Sequence, residues 1–128
     1  MLEDRVTEWI IKCAFKVHNV LGAGFLEKVY ENALRIETEK SGLVVRQQAP
    51  IKVLYEGCVV GEYFADLLID DRVVVELKAV QALAKDHEQQ LVHYLNATGI
   101  EMGLLINFGS SVQVRRKYRQ YKPSSKSC

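Results

Sequence analysis

Two prolines, three cysteines and one tryptophan are all that 128 residues carry of those types. So little proline, with only eight glycines, excludes a collagen-like repeat or a proline-rich spacer. Cys13, Cys58 and Cys128 are odd in number and share no metal-type spacing. That excludes a disulfide scaffold and leads us to expect reduced thiols. No run approaches the ~18 consecutive apolar residues of a membrane span. The opening Met1-Leu2-Glu3-Asp4-Arg5 goes straight into mixed charge, so no secretory leader and a cytoplasmic location are expected. There is no internal repeat. There is also no glycine-rich phosphate loop, because Gly22-Ala23-Gly24 follows a helical pattern and not a strand.

What is present is an ordinary globular composition, 48% apolar and 26% charged. A chain of this length buries a core without metal or disulfide staples. One domain over 1–121 with a disordered tail over 122–128 is expected. The net charge of +1 is unevenly spread. Arg115, Arg116, Lys117, Arg119, Lys122 and Lys126 crowd the last 14 residues, which contain no acid, so the remaining body is acidic. Such a basic end suits a polyanion, and the competing reading is a solvated terminus.

Periodicity gives the elements. Val6, Trp9, Ile10, Cys13, Ala14, Val17, Val20 and Leu21 recur at spacings of three and four, one face of a helix with Trp9 read as packing. Leu26, Val29, Tyr30, Ala33 and Leu34 form a second stripe, ended by Ser41-Gly42. The segments 43–45, 51–55, 59–69 and 73–80 are β-rich and predict an antiparallel meander. Residues 85–98 read as a helix closed by Gly99, followed by strands over 102–108 and 112–118. With a helix between them, the third and fourth strands are expected to be parallel.

Charge interrupts the apolar pattern at two places. Glu76 and Lys78 share one face of the most apolar strand, and Asp66 lies within Tyr63-Phe64-Ala65-Asp66-Leu67-Leu68-Ile69. A three-residue turn at 70–72 pairs 69 with 73 and brings 66 opposite 76, whereas a two-residue turn separates them. We therefore expect the three-residue turn. Two carboxylates so close repel, and either one takes a proton or a cation sits between them. Oxygen donors of this kind suit Mg²⁺ or Mn²⁺. The alternative is a Glu76–Lys78 ion pair on a solvated sheet face, with Asp66 bonded to backbone. Gln90 and Tyr94 lie one helical turn apart, either serving a site or belonging to a plain amphipathic helix. Glu27 stands early in its helix, where the dipole alone favours an acid. His18, His87 and His93 read as surface or capping residues.

Together these residues resemble the PD-(D/E)XK nuclease superfamily, and within it the small GxxExxY group. Gly24, Glu27 and Tyr30 match the namesake pattern. Asp66 matches the first acid, and Glu76-Leu77-Lys78 the (D/E)-X-K triplet. Gln90-Leu91-Val92-His93-Tyr94 matches the QxxxY signature of RecB-like and Cas4-like nucleases. Ala65 stands where the name-giving proline would. The likeness runs from about residue 5 to 118.

The resemblance implies an α/β fold with a restriction-endonuclease-like αβββαβ core, a mixed sheet flanked by helices. It implies metal-dependent hydrolysis of phosphodiester bonds, with DNA favoured over RNA. Asp66, Glu76, Glu27 and the Leu77 carbonyl would bind Mg²⁺ or Mn²⁺. Lys78 would orient or activate water, and Gln90 and Tyr94 would support the site and contact the nucleic-acid backbone. Arg115, Arg116, Lys117 and Arg119 would add affinity. Two other outcomes are a nucleic-acid-binding module that cuts little and a protein-interaction partner. A domain this small grips a duplex more readily with a second copy, so a homodimer is also considered.

Overall fold

The computed structural model describes residues 2–120. The expected tail over 122–128 lies outside the described residues. The elements run α1 (Leu2–Leu21), α2 (Glu27–Lys40), β1 (Val45–Tyr55), β2 (Cys58–Ile69), β3 (Val73–Lys78), α3 (Lys85–Thr98), β4 (Met102–Phe108) and β5 (Val112–Tyr118).

The five strands form one sheet in the order β1-β2-β3-β4-β5. The first three strands are antiparallel neighbours, β3 and β4 are parallel, and β5 returns antiparallel. The mixed α/β architecture and the parallel pair are those expected. α1 and α2 pack on one face, where Ile10, Ala14, Tyr30 and Leu34 meet Leu67, Val75, Leu77, Leu104 and Ile106. α3 covers the other face, setting Leu91 and Leu95 against Ala65, Leu68, Val74 and Leu105. A Cβ at Gly103 would come within 2.9 Å of Leu91, so glycine permits the close approach of α3 to β4.

The helical stripes are narrower than the sequence pattern. Trp9 is 52% exposed and carries Lys12 Nζ over its ring at 5.0 Å. Val20, Leu26 and Val29 are also exposed. Three- and four-residue spacing admits these residues, but two helices sharing one sheet face bury only the centre of each stripe. The expected break in the first β region does not occur. β1 runs through Pro50, which an edge strand tolerates because one row of its backbone groups needs no ladder partner. Cys13 is buried and free, whereas Cys58 is disulfide-bonded, so the expectation of reduced thiols fails at Cys58. Cys58 lies beside the β1–β2 turn and is only partly buried.

Turn chemistry sets the register. Glu56 and Gly57 both have positive φ, the backbone of a tight hairpin turn with the right-handed twist of its strands. Asp70-Asp71-Arg72 makes the three-residue turn, pairing Ile69 with Val73 as expected. The next two pairs, 68 with 74 and 67 with 75, complete that ladder. There the β2–β3 ladder ends, one step short of Asp66 and Glu76.

The cause lies on β1. Gln48 has φ +48°, a left-handed conformation that costs a non-glycine residue about 1–2 kcal/mol. The β1–β2 ladder steps from Gln47–Leu67 to Ala49–Ala65 without a pair at 48 and 66. Ala65 and Leu68, three residues apart, consequently face the same side. Side-chain alternation slips by one at Asp66, and the hairpin beyond it turns away from β3.

Tyr30 fixes the loop that leads into α2. It is fully buried, stacks on Phe108 at 4.6 Å, and donates its hydroxyl to the Gly22 carbonyl at 2.6 Å. The same oxygen accepts the Phe25 N–H at 3.2 Å. Gly24, with φ +106°, provides the bend. Replacing Tyr30 by Phe keeps the packing and orphans both partners. We expect a stability loss of about 1–3 kcal/mol, read as a lower urea midpoint at unchanged slope.

Candidate active site

Glu76 and Lys78 end β3, on the face opposite to Leu77. Asn107 on β4 pins the chain just past them, accepting the Val80 N–H and donating to the Val80 carbonyl, each at 2.9 Å. β3 therefore stops at Lys78 instead of continuing to 80, with a side chain in place of a ladder partner. Beside this strand end, the slip in β2 frees Asp66. Its Oδ2 accepts the Leu77 N–H at 2.9 Å, and its Oδ1 accepts Gln48 Nε2 at 3.1 Å. The expected direct pairing of 66 with 76 is thus replaced by a side chain that bridges to β3.

The electrostatics follow from burial. Glu76 is pushed up to about 8, chiefly by desolvation, with the Asp66 backbone N–H and the Lys78 cation opposing the rise. Its Oε1 is buried with no hydrogen-bond partner. Asp66 is also raised by desolvation, against the pull of the Leu77 and Gln48 hydrogen bonds. Glu27, in the first turn of α2, is raised by desolvation and then by the Asp66 charge, with Lys78 opposing. Lys78 is half-buried and feels all three carboxylates. The structure thus brings Glu27 into electrostatic range of Asp66, Glu76 and Lys78, a proximity the sequence did not give.

Glu31, one helical turn beyond Glu27 on α2, completes the group. It is buried at 2% exposure. It accepts Lys28 Nζ at 2.8 Å, Gln48 Nε2 at 3.1 Å and the Gln47 side-chain amide. The i, i+4 spacing of Glu27 and Glu31 is a signal that both share one helix face. Gln48 carried no signal, because nothing local announces its backbone conformation.

Most of the other expected residues have partners of their own. Gln90 Nε2 donates to the Tyr94 hydroxyl at 3.0 Å, and Tyr94 stacks on Tyr63 at 3.7 Å, so the pair sits against β2 on the α3 face. The basic residues of β5 are divided by strand alternation. Lys117 and Arg115 reach Glu88 on α3 at 2.6 and 3.8 Å, and Arg119 reaches Glu101 at 2.7 Å. Arg116 is exposed and points to the opposite face. A cavity of about 590 Å³ between α3 and β5 is lined in part by Lys85, Glu88, His93 and Lys117, and not by Glu27, Asp66 or Glu76. His87 caps α3, its Nδ1 accepting the Ala84 N–H at 3.2 Å, and His18 bonds the Gly109 carbonyl at 2.9 Å.

A model of the PD-(D/E)XK nuclease superfamily matches residues 4–120. The chain belongs to that superfamily. No curated protein and no solved structure matches it. The five-stranded mixed sheet flanked by helices is the restriction-endonuclease-like fold of these nucleases. Membership points to nuclease chemistry on nucleic acid, and such enzymes generally use divalent metals. The donors match such a cation in chemical kind, though not in spacing. They are carboxylate oxygens, the ligands of hard divalent ions, and one of them is a buried orphan. Among the described residues, no group of three or more His, Cys, Asp or Glu is drawn together closely enough to hold a metal ion. Among the described residues, no helix is long and apolar enough to cross a membrane.

The Glu76 shift fixes the sign of a pH effect. The folded value lies above the ordinary carboxylate value of 4.5, so the folded state holds this proton more tightly. The stabilising contribution is complete below about 4.5 and is lost as pH rises to about 8. In chelator, Glu76→Gln should melt above the wild type at pH 8, and the gap should narrow towards pH 5. Thermal unfolding across that range checks this, and a pH-independent gap would contradict it.

Proposed function

We propose that this chain is a divalent-metal-dependent nuclease that hydrolyses phosphodiester bonds of DNA. The observation that carries the reading is the buried, unpartnered Glu76 Oε1 beside Asp66 and Lys78, in a chain of this superfamily. Asp66, Glu76, Glu27 and the Leu77 carbonyl are the residues that would hold Mg²⁺ or Mn²⁺. When bound, the ion supplies charge neutralisation at the phosphate and Lewis-acid polarisation.

The chain's own residues do the rest. Lys78, whose charge acts on Glu27, Asp66 and Glu76, stabilises the charge that develops as a water oxygen bonds to phosphorus. The bond from phosphorus to the leaving oxygen breaks in line, water loses a proton, and the leaving oxygen gains one from solvent. Gln90 and Tyr94, fixed to each other and to Tyr63, contact the nucleic-acid backbone and support the site. Arg115, Arg116, Lys117 and Arg119 add phosphate affinity, which Glu88 and Glu101 temper for three of them. The match of Gly24, Glu27, Tyr30 and of Gln90 with Tyr94 supports the GxxExxY group and a RecB-like or Cas4-like character.

Mn²⁺ titration calorimetry on the wild type and Asp66→Ala should show binding that the variant loses. Lys78→Ala should lower DNA cleavage by roughly 100-fold or more while the protein stays folded. Cleavage unchanged in Asp66→Ala, Glu76→Ala and Lys78→Ala would overturn the reading. A second reading, a nucleic-acid-binding module that cuts little, is favoured by the lack of a ready three-ligand cluster among the described residues. Salt-sensitive DNA binding without cleavage would select it.

A further inference from the structure

We propose that Gln48 is a positioning residue which, anchored by Glu31, fixes the rotation of the Asp66 carboxylate. The proposal rests on Asp66 acting in the site described above.

Three observations carry it. First, Gln48 Nε2 donates to Glu31 Oε1 and to Asp66 Oδ1, both at 3.1 Å. A primary amide has two N–H donors, and here each is directed to a carboxylate oxygen. The orientation is dictated by chemistry, since turning the amide would set its carbonyl oxygen against two acceptors. Second, Glu31 is itself immobilised. It is buried and held by Lys28 and Gln47 as well as Gln48, so the far end of the bridge is fixed to α2. Third, Gln48 adopts φ +48°. A glutamine gains nothing locally from that conformation, and the structure retains it where the amide spans two acids.

The bridge matters because Asp66 stands between two tethers. Oδ1 is held by Gln48, and Oδ2 accepts the Leu77 N–H at 2.9 Å. With both oxygens engaged, the carboxylate plane is set by α2 through Glu31 and by β3 through Leu77. Without Gln48, only the β3 tether remains and the carboxylate turns about its own bond. Outer partners of this kind typically change metal affinity by about 10–100-fold. Gln48 is exposed, so the lower end of that range applies.

The test exploits the backbone. Glycine accepts positive φ without strain, so Gln48→Gly removes the amide and relieves the conformation together. In chelator, this variant should melt at or above the wild-type temperature. The Leu77 amide should exchange with deuterium roughly tenfold faster, while Val74 and Val75 keep their wild-type protection. Its Mn²⁺ affinity, by calorimetry, should fall about tenfold.

Unchanged Leu77 exchange would overturn the proposal. A rise spread evenly over β2 and β3 would also overturn it, because it would make Gln48 a structural residue of the strand. If the wild type binds no Mn²⁺, the metal reading fails while the exchange measurement still decides the positioning role. If the wild type binds Mn²⁺ and Gln48→Gly binds it equally well, the positioning role fails alone.

Discussion

Burying a carboxylate costs free energy unless something replaces its water, and this fold buries several where β2 and β3 part. Glu31 is compensated by Lys28, Gln47 and Gln48, and Asp66 by Gln48 and the Leu77 N–H. Glu76 retains an oxygen with no partner at all. Most of the surrounding architecture serves to hold this arrangement. A core optimised for stability alone would put an apolar side chain at Glu76, as it does at Val74 two residues earlier on the same face.

Two backbone devices create the site. The left-handed Gln48 makes the β1–β2 alternation slip, so Asp66 leaves the ladder and turns towards β3. Asn107 replaces the ladder beyond Lys78 and lets β3 end where the charged side chains stand. From the other side of the sheet, Tyr30 ties the Gly22–Phe25 loop and thereby fixes where α2 begins, with Glu27 in its first turn. Tyr30 therefore contributes to the site without touching it. This is a physical reason for a tyrosine three residues after the glutamate.

The basic strand β5 illustrates how a sequence pattern and a surface differ. Arg115, Arg116, Lys117 and Arg119 read as a single run of positive charge. Alternation sends Arg116 to one face and Arg115 and Lys117 to the other, where Glu88 meets them. What remains is a weaker field than the composition promised.

Much of the fold was legible in one dimension. The Lys85–Thr98 helix and its glycine stop, the antiparallel meander, the parallel β3–β4 pair and the three-residue turn at 70–72 all follow from periodicity and turn chemistry. Those are local properties that the chain carries wherever it goes. The anomaly of Asp66, Glu76 and Lys78 in apolar strands was legible for the same reason, as charge that interrupts a pattern. The sequence by itself also mistook Trp9 and Val29 for core, since spacing cannot say how much of a stripe a neighbour will cover. Only the tertiary structure decided that Asp66 bonds to Leu77 instead of pairing with Glu76. It alone brought Glu31 and Gln48 into the site and left Glu76 Oε1 without a partner. Each of these depends on desolvation and on contacts between residues far apart in the chain, which exist only once the layers have packed.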